Sequence, residues 1–435
     1  MLNCDLIIRG KYILTMNRVM EVISEGAIAV ADKKIIAVSK ADEILKEYIA
    51  KKVIENQETL VMPGLINTHT HVAMSFFRGL ADDLGLATWL EKHIWPAEAQ
   101  YVNSGFVKKS SALGCLEMLK AGVTCFNDMY FFEEETAKVA KEMGMRLIIG
   151  EGILGSSTPS SPTPQAAMEK ALEQVEIFKD DELVKVALAP HSIYTCPQII
   201  LEKIRDIARE KNLLIHIHLA ETQKEVADAQ RDFNKTPAEY LETIGLLDKN
   251  VIAAHCVWLN KNDLEIIKKH QVKISHNPIS NMKLASGIAP ILSALKEQQI
   301  VVGLGTDSAA SNNTLDLFSD MRVAALLQKV MTSNPAALSA SDLVKMVTID
   351  GARALGLDDQ VGSLEIGKRA DIITINLNQP HLQPIYNPYS PLVYCASAAD
   401  VNDVIINGKL VMCDREVLTA DEEKILIDAK RFKLN

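Results

Sequence analysis

The chain has 435 residues, of which 48% are hydrophobic and 23% are charged, values typical of a globular protein that can bury a large core. Its net charge of −10 argues against nucleic acid and anionic membrane surfaces as partners. The N-terminus lacks a signal-peptide pattern, no apolar run approaches roughly 18 residues, and the seven cysteines include no CxxC pair. We therefore expect a cytoplasmic protein without a disulfide framework.

The two ends of the chain carry alternating apolar and polar residues, the pattern of half-buried strands. Residues 1–58 contain such runs at Asp5–Met16 and Gly26–Ser39, and residues 360–435 contain another at Val404–Met412. Turn signals such as Asn407-Gly408 separate the runs. The pattern predicts a small β-sandwich domain assembled from both termini, with a closing helix at the end of the chain.

Residues 59–359 alternate short apolar runs with amphipathic stretches, which is typical of parallel strands connected by helices. This α/β pattern predicts a (β/α)8 TIM-type barrel, and an open doubly wound sheet is the alternative. The predicted helices include Glu133–Met143, Gln198–Lys211, Lys261–His270 and Thr314–Val330. The predicted strands are Leu60–Ile66, Val123–Phe126, Arg146–Gly150, Val184–Ala189, Leu213–Leu219, Val251–Ala254, Val272–Ile274 and Ile300–Leu304.

The low-complexity segment Ser156–Pro164, SSTPSSPTP, follows the third predicted strand. Its composition cannot form a packed core and predicts a loop. In a barrel this loop lies on the face where the strands end, so both a mobile lid and an inert connection fit the sequence.

The clearest motif is NTHTH at residues 67–71, directly after the first predicted strand. His69 and His71 are two residues apart on an extended segment, so both side chains point to the same side. A second motif, HIHLAE at residues 216–221, ends the fifth strand. His216 lies deeper in this strand and fits a packing role, so we choose His218 as the ligand and place Glu221 in the following turn.

Two further polar residues follow the sixth and eighth predicted strands, His255 in AAHCVW and Asp307 in GLGTDSA. Asp307 alone also fits a helix N-cap. Ligand-type side chains at the ends of strands one, five, six and eight nevertheless predict one metal site at the barrel's C-terminal face. We expect the ligands to be His69, His71, His218 and Asp307, which leaves room for a water.

A metal in such a site lowers the pKa of its water to about 7. Glu221 is placed to move protons between this water, the substrate and the leaving amine, and His255 can hydrogen-bond the attacking oxygen or the developing charge. The motifs of other enzyme classes are absent from the sequence. These are HExxH, HxE with PCxxC, GxxxxGK[ST], a strand-linked GxGxxG and GxSxG.

Five segments, PGLINTHTHVAMSFFRG, HIHLAET, AHCVWL, SHNPISNMKLASG and GLGTDSAASNN, resemble the amidohydrolase superfamily. More narrowly, they resemble its 5′-methylthioadenosine/S-adenosylhomocysteine deaminase branch, near the chlorohydrolases and guanine deaminases. The resemblance covers essentially the whole chain. It implies one divalent metal, usually Zn²⁺, on the four ligands named above. It also implies a proton-transfer role for Glu221, a ribose contact for Glu98 and a purine contact for His191. The fourth strand ends without a lysine, which argues against the binuclear subclass.

The resemblance implies metal-dependent deamination of adenine nucleosides to the inosine analogue and ammonia. Some members of the branch meet a substrate carboxylate with arginines beyond the third strand. Here the segment reads Gly150-Glu151-Gly152, which makes Glu151 a further candidate substrate contact, and no Lys or Arg occurs between Arg146 and Lys170. We therefore expect neutral 5′ groups to be favoured, as in 5′-deoxyadenosine, 5′-methylthioadenosine and adenosine.

The alternatives are a guanine or s-triazine-type aminohydrolase, a non-catalytic scaffold on the same fold, and a sugar- or nucleoside-binding barrel without chemistry. A homo-oligomer is an expectation from the family alone.

Overall fold

The computed structural model describes residues 1–55 and 58–433, and the strands in these residues form two sheets. The first sheet is built from both termini. Its strands are β1 Leu2–Leu14, β2 Val22–Ala31, β3 Lys34–Lys40, β4 Tyr48–Glu55, β5 Thr59–Pro63, β15 Ile372–Asn376, β16 Val401–Ile406, β17 Lys409–Cys413 and β18 Glu416–Val417. Their order is β18-β17-β16-β15-β5-β1-β2-β3, with β4 also paired to β1.

The second sheet is parallel and is formed by the middle of the chain. Its strands are β6 Leu65–Thr70, β7 Val123–Asp128, β8 Arg146–Ile149, β9 Gly152–Ile153, β10 Val184–Pro190, β11 Leu214–Leu219, β12 Val251–His255, β13 Lys273–His276 and β14 Val302–Leu304. The order runs from β6 through β7, β8 and β10 to β14, and the short β9 pairs with β10.

Helices separate most of the parallel strands. The α-helices of the described residues are α1 Ala41–Glu47, which packs on the sheet of both termini, α2 Leu86–Trp89, α3 Trp95–Tyr101, α4 Ser104–Lys120, α5 Glu133–Glu142, α6 Pro164–Phe178, α7 Gln198–Lys211, α8 Gln223–Phe233, α9 Pro237–Thr243, α10 Lys261–Lys269, α11 Pro278–Lys283, α12 Leu317–Thr332, α13 Ala340–Met346, α14 Ile349–Ala354, α15 Tyr389–Tyr394 and α16 Glu422–Arg431. In the described part of the chain, none of them combines the length and apolarity needed to cross a bilayer.

The last parallel strand lies beside the first, which nearly closes the barrel. A Cβ on Gly303 would come within 2.4 Å of the Thr68 side chain, and one on Gly305 within 2.8 Å of the His69 backbone. The backbone N–H of Asp307 donates to the His69 carbonyl at 3.0 Å. Glycine is therefore required where the two strands meet, because any side chain would hold them apart. The predicted barrel with a domain from both termini is confirmed.

The apolar run predicted as the first barrel strand is two strands. Residues Thr59–Pro63 pair with β1 and β15 in the sheet of both termini, whereas Leu65–Thr70 pairs with β7 in the barrel. The turn at Gly64 leaves no space for a side chain, since a Cβ there would meet Thr124 at 2.1 Å. The division into residues 1–58, 59–359 and 360–435 stays a prediction, and residues 56–57 and 434–435 lie outside the described residues.

Candidate active site

The residues that leave the C-terminal ends of three barrel strands have left-handed backbone conformations. Ala220, His255 and Asp307 have φ values of 50°, 71° and 61°. Such values are uncommon for residues other than glycine and cluster at functional sites. They turn the chain sharply, so that the side chains at the strand ends converge over the barrel mouth.

His69 and His71 present their Nε2 atoms to a common point above β6. The Nε2 atoms of His69 and His71 lie 3.5 and 3.4 Å from Oδ1 of Asp307. The Nδ1 atom of His71 donates to the backbone carbonyl of Met129, which fixes this ring.

His218 joins the same point from β11. Its Nε2 atom lies 3.4 Å from Nε2 of His71, and its Nδ1 atom donates to the His191 carbonyl at 2.7 Å. The period of two along a strand directs His216 and His218 to the same side.

The Asp307 carboxylate is oriented by two donors. Ser280 Oγ donates to Oδ2 at 2.5 Å, and the Ser308 N–H donates to Oδ1 at 2.7 Å. Burial acts to raise the pKa of Asp307, but the surrounding imidazoles, first among them that of the adjacent His69, lower it below its ordinary value. Asp307 is therefore ionised and available as an oxygen ligand.

The donor set fits a divalent metal. His69, His71 and Asp307 offer ligand atoms within 4.8 Å of one another, and so do His69, His218 and His255. Among the described residues, Nε2 of the fully buried His69 has no hydrogen-bond partner, although a buried polar atom needs one. Burial lowers the pKa of His69 to about 3, so its imidazole is neutral, as metal ligation requires.

Glu221 and His255 face each other beside these ligands. Oε2 of Glu221 lies 3.8 Å from Nε2 of His255, and Oε1 lies 3.4 Å from Oγ of Ser286. Burial raises the pKa of Glu221 above its ordinary value. The Nδ1 atom of His255 is 2.8 Å from Oδ1 of Asn281 and donates to it, so Nε2 faces Glu221 and the ligands.

The turn that carries Glu221 is held by a second buried carboxylate. Glu225 accepts hydrogen bonds from the backbone N–H groups of Ala220 and Glu221, both at 2.9 Å. Thr222 caps α8 by accepting from the Glu225 N–H at 3.1 Å. Side-chain caps therefore position Glu221 relative to the end of β11.

The first histidine of the fifth-strand motif, His216, supports a proposed metal ligand. Nε2 of His216 lies 2.8 Å from Nδ1 of His69. Because Nε2 of His69 faces the ligand point, its Nδ1 carries the proton and donates to His216. The packing role considered for His216 is therefore replaced by a polar one.

We expect His216→Phe to weaken Zn²⁺ binding by about 10–100-fold, because the ring of His69 loses its acceptor. Chelator competition on the metal-free protein measures this dissociation constant. His276→Phe is the matched control, since His276 is also buried and, among the described residues, neither of its ring nitrogens has a partner. Equal affinity in the two variants would show that His216 does not orient His69.

A cavity of about 1020 Å³ opens above the ligand point. Glu221, His255 and Asp307 line its floor, and the wall includes His191 after β10 and Glu98 on α3. Burial raises the pKa of Glu98 to about 7, against a smaller opposing effect of the nearby Tyr130 hydroxyl. The structure thus brings three of the predicted ligands, His71, His218 and Asp307, to one cavity with Glu221, His255, Glu98 and His191, while the fourth ligand, His69, is fully buried next to Asp307.

Glu151 does not line this cavity. Its side chain is fully buried behind the wall, where it accepts hydrogen bonds from Ser160, from Gln174 Nε2 and from the Glu133 N–H. Lys170 lies 3.4 Å from its Oε1 atom. Glu151 therefore anchors the segment that follows it, and the predicted direct contact with substrate has no support from its position.

The low-complexity segment forms part of the cavity wall through residues 156–159. The Gly155 N–H donates to the Thr195 carbonyl at 2.8 Å, and Thr158 and Ser161 bond to each other's backbone. These contacts place the loop on the predicted face of the barrel. Its role as a lid stays a prediction.

Sequence reasoning missed several residues of this site. Asn281 and Ser280 belong to the quoted SHNPISN motif, yet the motif gives no sign of what they contact. Glu225 stands three residues after the helix-capping Thr222, and this capping pattern is the only sequence signal for it. Trp89 and Trp95 line the cavity from a segment with no recognisable motif.

The fold and the site define a metal-dependent hydrolase built on a (β/α)8 barrel. Residues 60–411 match the model of the Amidohydrolase family, and the chain belongs to that family. The predicted family and enzyme class are thereby confirmed.

Similar proteins extend over the full chain. The 5-methylthioadenosine/S-adenosylhomocysteine deaminase of Thermodesulfovibrio yellowstonii is 45% identical, with 97% of this chain and 96% of that protein covered. The 5′-deoxyadenosine deaminase of Methanosarcina acetivorans is 44% identical, with 98% and 97% covered. The crystal structure of an adenosine deaminase from Xanthomonas campestris with bound zinc is 35% identical, with a TM-score of 0.97 and 99% and 98% covered.

Proposed function

We propose that the protein hydrolytically deaminates adenine nucleosides, converting the 6-amino group to an oxo group with release of ammonia. The convergence of three imidazoles, Asp307 and Glu221 on the floor of one cavity carries this proposal. Relatives named for deamination of 5′-methylthioadenosine, S-adenosylhomocysteine and 5′-deoxyadenosine support it.

His69, His71, His218 and Asp307 would hold one divalent metal, which we propose to be Zn²⁺. When bound, it supplies a nucleophilic water at neutral pH. Glu221 accepts one proton from the water at its carboxylate and delivers it to a ring nitrogen of the base. It then takes the second proton from the attacking oxygen, once that oxygen is bonded to carbon, and delivers it to the amine, which departs as ammonia. Against the opposing effect of burial, the Glu221 and Asp307 carboxylates raise the pKa of His255, so the protonated ring donates a hydrogen bond from Nε2 to the attacking oxygen. We assign His255 this role because its Nε2 atom faces Glu221.

Substrate orientation follows from the cavity wall. We propose that Glu98 accepts hydrogen bonds from the ribose hydroxyls and that His191 contacts the purine. Binding of the ribose at Glu98 holds the base over the floor in a fixed orientation, which lowers the entropic cost of reaction.

We further propose that neutral 5′ groups are favoured over the homocysteine tail. Among the described residues that line the cavity, none is a lysine or an arginine. A carboxylate moved into this cavity would lose water without gaining a cationic partner, and that desolvation is unfavourable.

The test is ammonia release from metal-loaded protein with 5′-deoxyadenosine, 5′-methylthioadenosine, adenosine, S-adenosylhomocysteine and guanine. We expect kcat/KM for 5′-deoxyadenosine to exceed that for S-adenosylhomocysteine by at least about tenfold, the ratio that 1.4 kcal/mol produces. Comparable values would contradict the preference for neutral groups. Activity on guanine alone would replace the proposed function with that of a guanine aminohydrolase.

We propose a cytoplasmic protein that takes a small nucleoside as its partner, with a homo-oligomer expected only from the family. Bound metal with no hydrolysis of any amine would favour a nucleoside-binding barrel. Failure to bind metal would favour a non-catalytic scaffold.

A further inference from the structure

The carboxylates of the cavity differ in what neutralises them. Asp307 is surrounded by ligand histidines, and Glu221 faces His255 at 3.8 Å. Glu98 lies on the wall, is 8% exposed, and forms no ion pair with any described residue. Burial without a cation is unfavourable for an ionised carboxylate, and an arriving cation would relieve this cost.

A second cavity of about 770 Å³ adjoins the first and shares part of its wall, including Trp95, Tyr194 and Phe233. Lys224 and Arg231 are the only described lysine and arginine that line this outer cavity. Both already pair with carboxylates of α8. Arg231 lies 2.7 Å from Asp228 and 2.7 Å from Asp232, and Lys224 pairs with Asp228.

An anion that enters through the outer cavity therefore meets no unpaired lysine or arginine among the described lining residues. A cation meets Glu98, which has no cationic partner in the part of the chain that the structure describes. The C5′ atom is bonded to the ribose ring, so a substituent on it lies only a few bonds from the hydroxyls assigned to Glu98.

We infer that this site selects nucleosides by the charge of the 5′ substituent and accepts a primary ammonium group there by pairing it with Glu98. The inference rests on the proposed function for the placement of the ribose. It adds cationic 5′-amino nucleosides to the substrate class and excludes 5′-carboxylates.

The experiment compares three nucleosides of nearly equal size: adenosine, 5′-amino-5′-deoxyadenosine and adenosine-5′-carboxylic acid. Metal-loaded protein is assayed at neutral pH, where the amine is protonated and the acid is ionised. We expect kcat/KM for the amine to equal or exceed that for adenosine, and that for the acid to be lower by about tenfold or more, as loss of a charged partner in a desolvated site predicts. An acid turned over as fast as adenosine, or an amine tenfold slower, would overturn the inference.

Dissociation constants are measured in parallel from the fluorescence of Trp89 and Trp95, which line the inner cavity. Because binding is measured without turnover, it tests the selection by 5′ charge separately from the proposed deaminase function. Absence of ammonia from all three nucleosides contradicts the proposed function. The order of the three dissociation constants still decides whether the site selects by charge.

Two substitutions and one control variant test the residues. Glu98→Gln should remove the advantage of the amine over the acid, reducing the ratio of their dissociation constants by about tenfold. Ser156→Arg adds a cation to the cavity wall and should improve binding of the acid, whereas Gln165→Arg, on an exposed residue outside both cavities, should not. An unchanged ratio in Glu98→Gln, or equal effects of the two arginine variants, would contradict the assignment.

Discussion

Glu221→Gln is expected to lower kcat/KM for 5′-deoxyadenosine by about 10²–10⁴-fold, the usual contribution of a general acid–base residue. The glutamine has nearly the same volume but cannot accept a proton and return it. Burial of the Glu221 side chain, which raises its pKa toward neutrality, suits a group that must be both base and acid during one turnover. Steady-state ammonia release measures the loss.

Metal content and far-UV circular dichroism should remain as in the wild type, because Glu221 is not among the proposed ligands. Glu176→Gln is the matched control, since its carboxylate is exposed on α6, away from both cavities. A Glu221→Gln variant that turns over near the wild-type rate would remove Glu221 from the proton-transfer role. A variant that loses metal would instead indicate that Glu221 helps to hold it.

The site residues at the strand ends could be predicted from the sequence because two simple rules apply to them. Parallel strands place their C-terminal ends on one face, and alternation fixes the direction of His69, His71 and His218. His255 and Asp307 follow from the same rules, since His255 comes directly after an apolar run and Asp307 three residues after another.

The supporting partners could not be predicted because they depend on contacts between distant segments. His216 and His69 are separated by 147 residues, and Asp307 and Ser280 by 27, so no local pattern joins them. The sequence predicts a barrel strand that includes residues of Thr59–Pro63 because the apolar run continues across Gly64. A strand that is buried on both faces has a continuous apolar sequence in either sheet, so its sequence does not show which sheet it joins. The sequence makes Glu151 a candidate substrate contact because it lies where some members of the branch carry arginines, yet its oxygens accept hydrogen bonds from Ser160, Gln174 and the Glu133 N–H.

A buried ion pair joins the barrel to the sheet of both termini. Nε of Arg146, at the start of β8, lies 2.9 Å from Oδ2 of Asp371, and the two side chains are 3% and 2% exposed. Arg146 Nη1 also donates to the Glu182 carbonyl at 2.8 Å, and Asp371 Oδ1 accepts from the Asn407 N–H at 2.7 Å. Every oxygen of Asp371 and most donors of Arg146 are thereby engaged.

Asp371→Ala is expected to lower the free energy of unfolding by about 3–5 kcal/mol, because it leaves the Arg146 guanidinium buried without its counter-charge. Urea unfolding of metal-loaded protein, followed by circular dichroism, measures this change. The distance of the pair from the catalytic face predicts that kcat of the remaining folded protein is unchanged.

The double variant Arg146→Met/Asp371→Leu separates the cost of an orphaned charge from the net contribution of the pair. Well-packed apolar side chains in place of a buried ion pair are often neutral, so the double variant should regain most of the stability that Asp371→Ala loses. A double variant as unstable as the single one would show that the pair itself stabilises the contact between barrel and sheet. A single variant within about 1 kcal/mol of the wild type would show that water or another group compensates Arg146, and that the contact depends on its apolar packing instead.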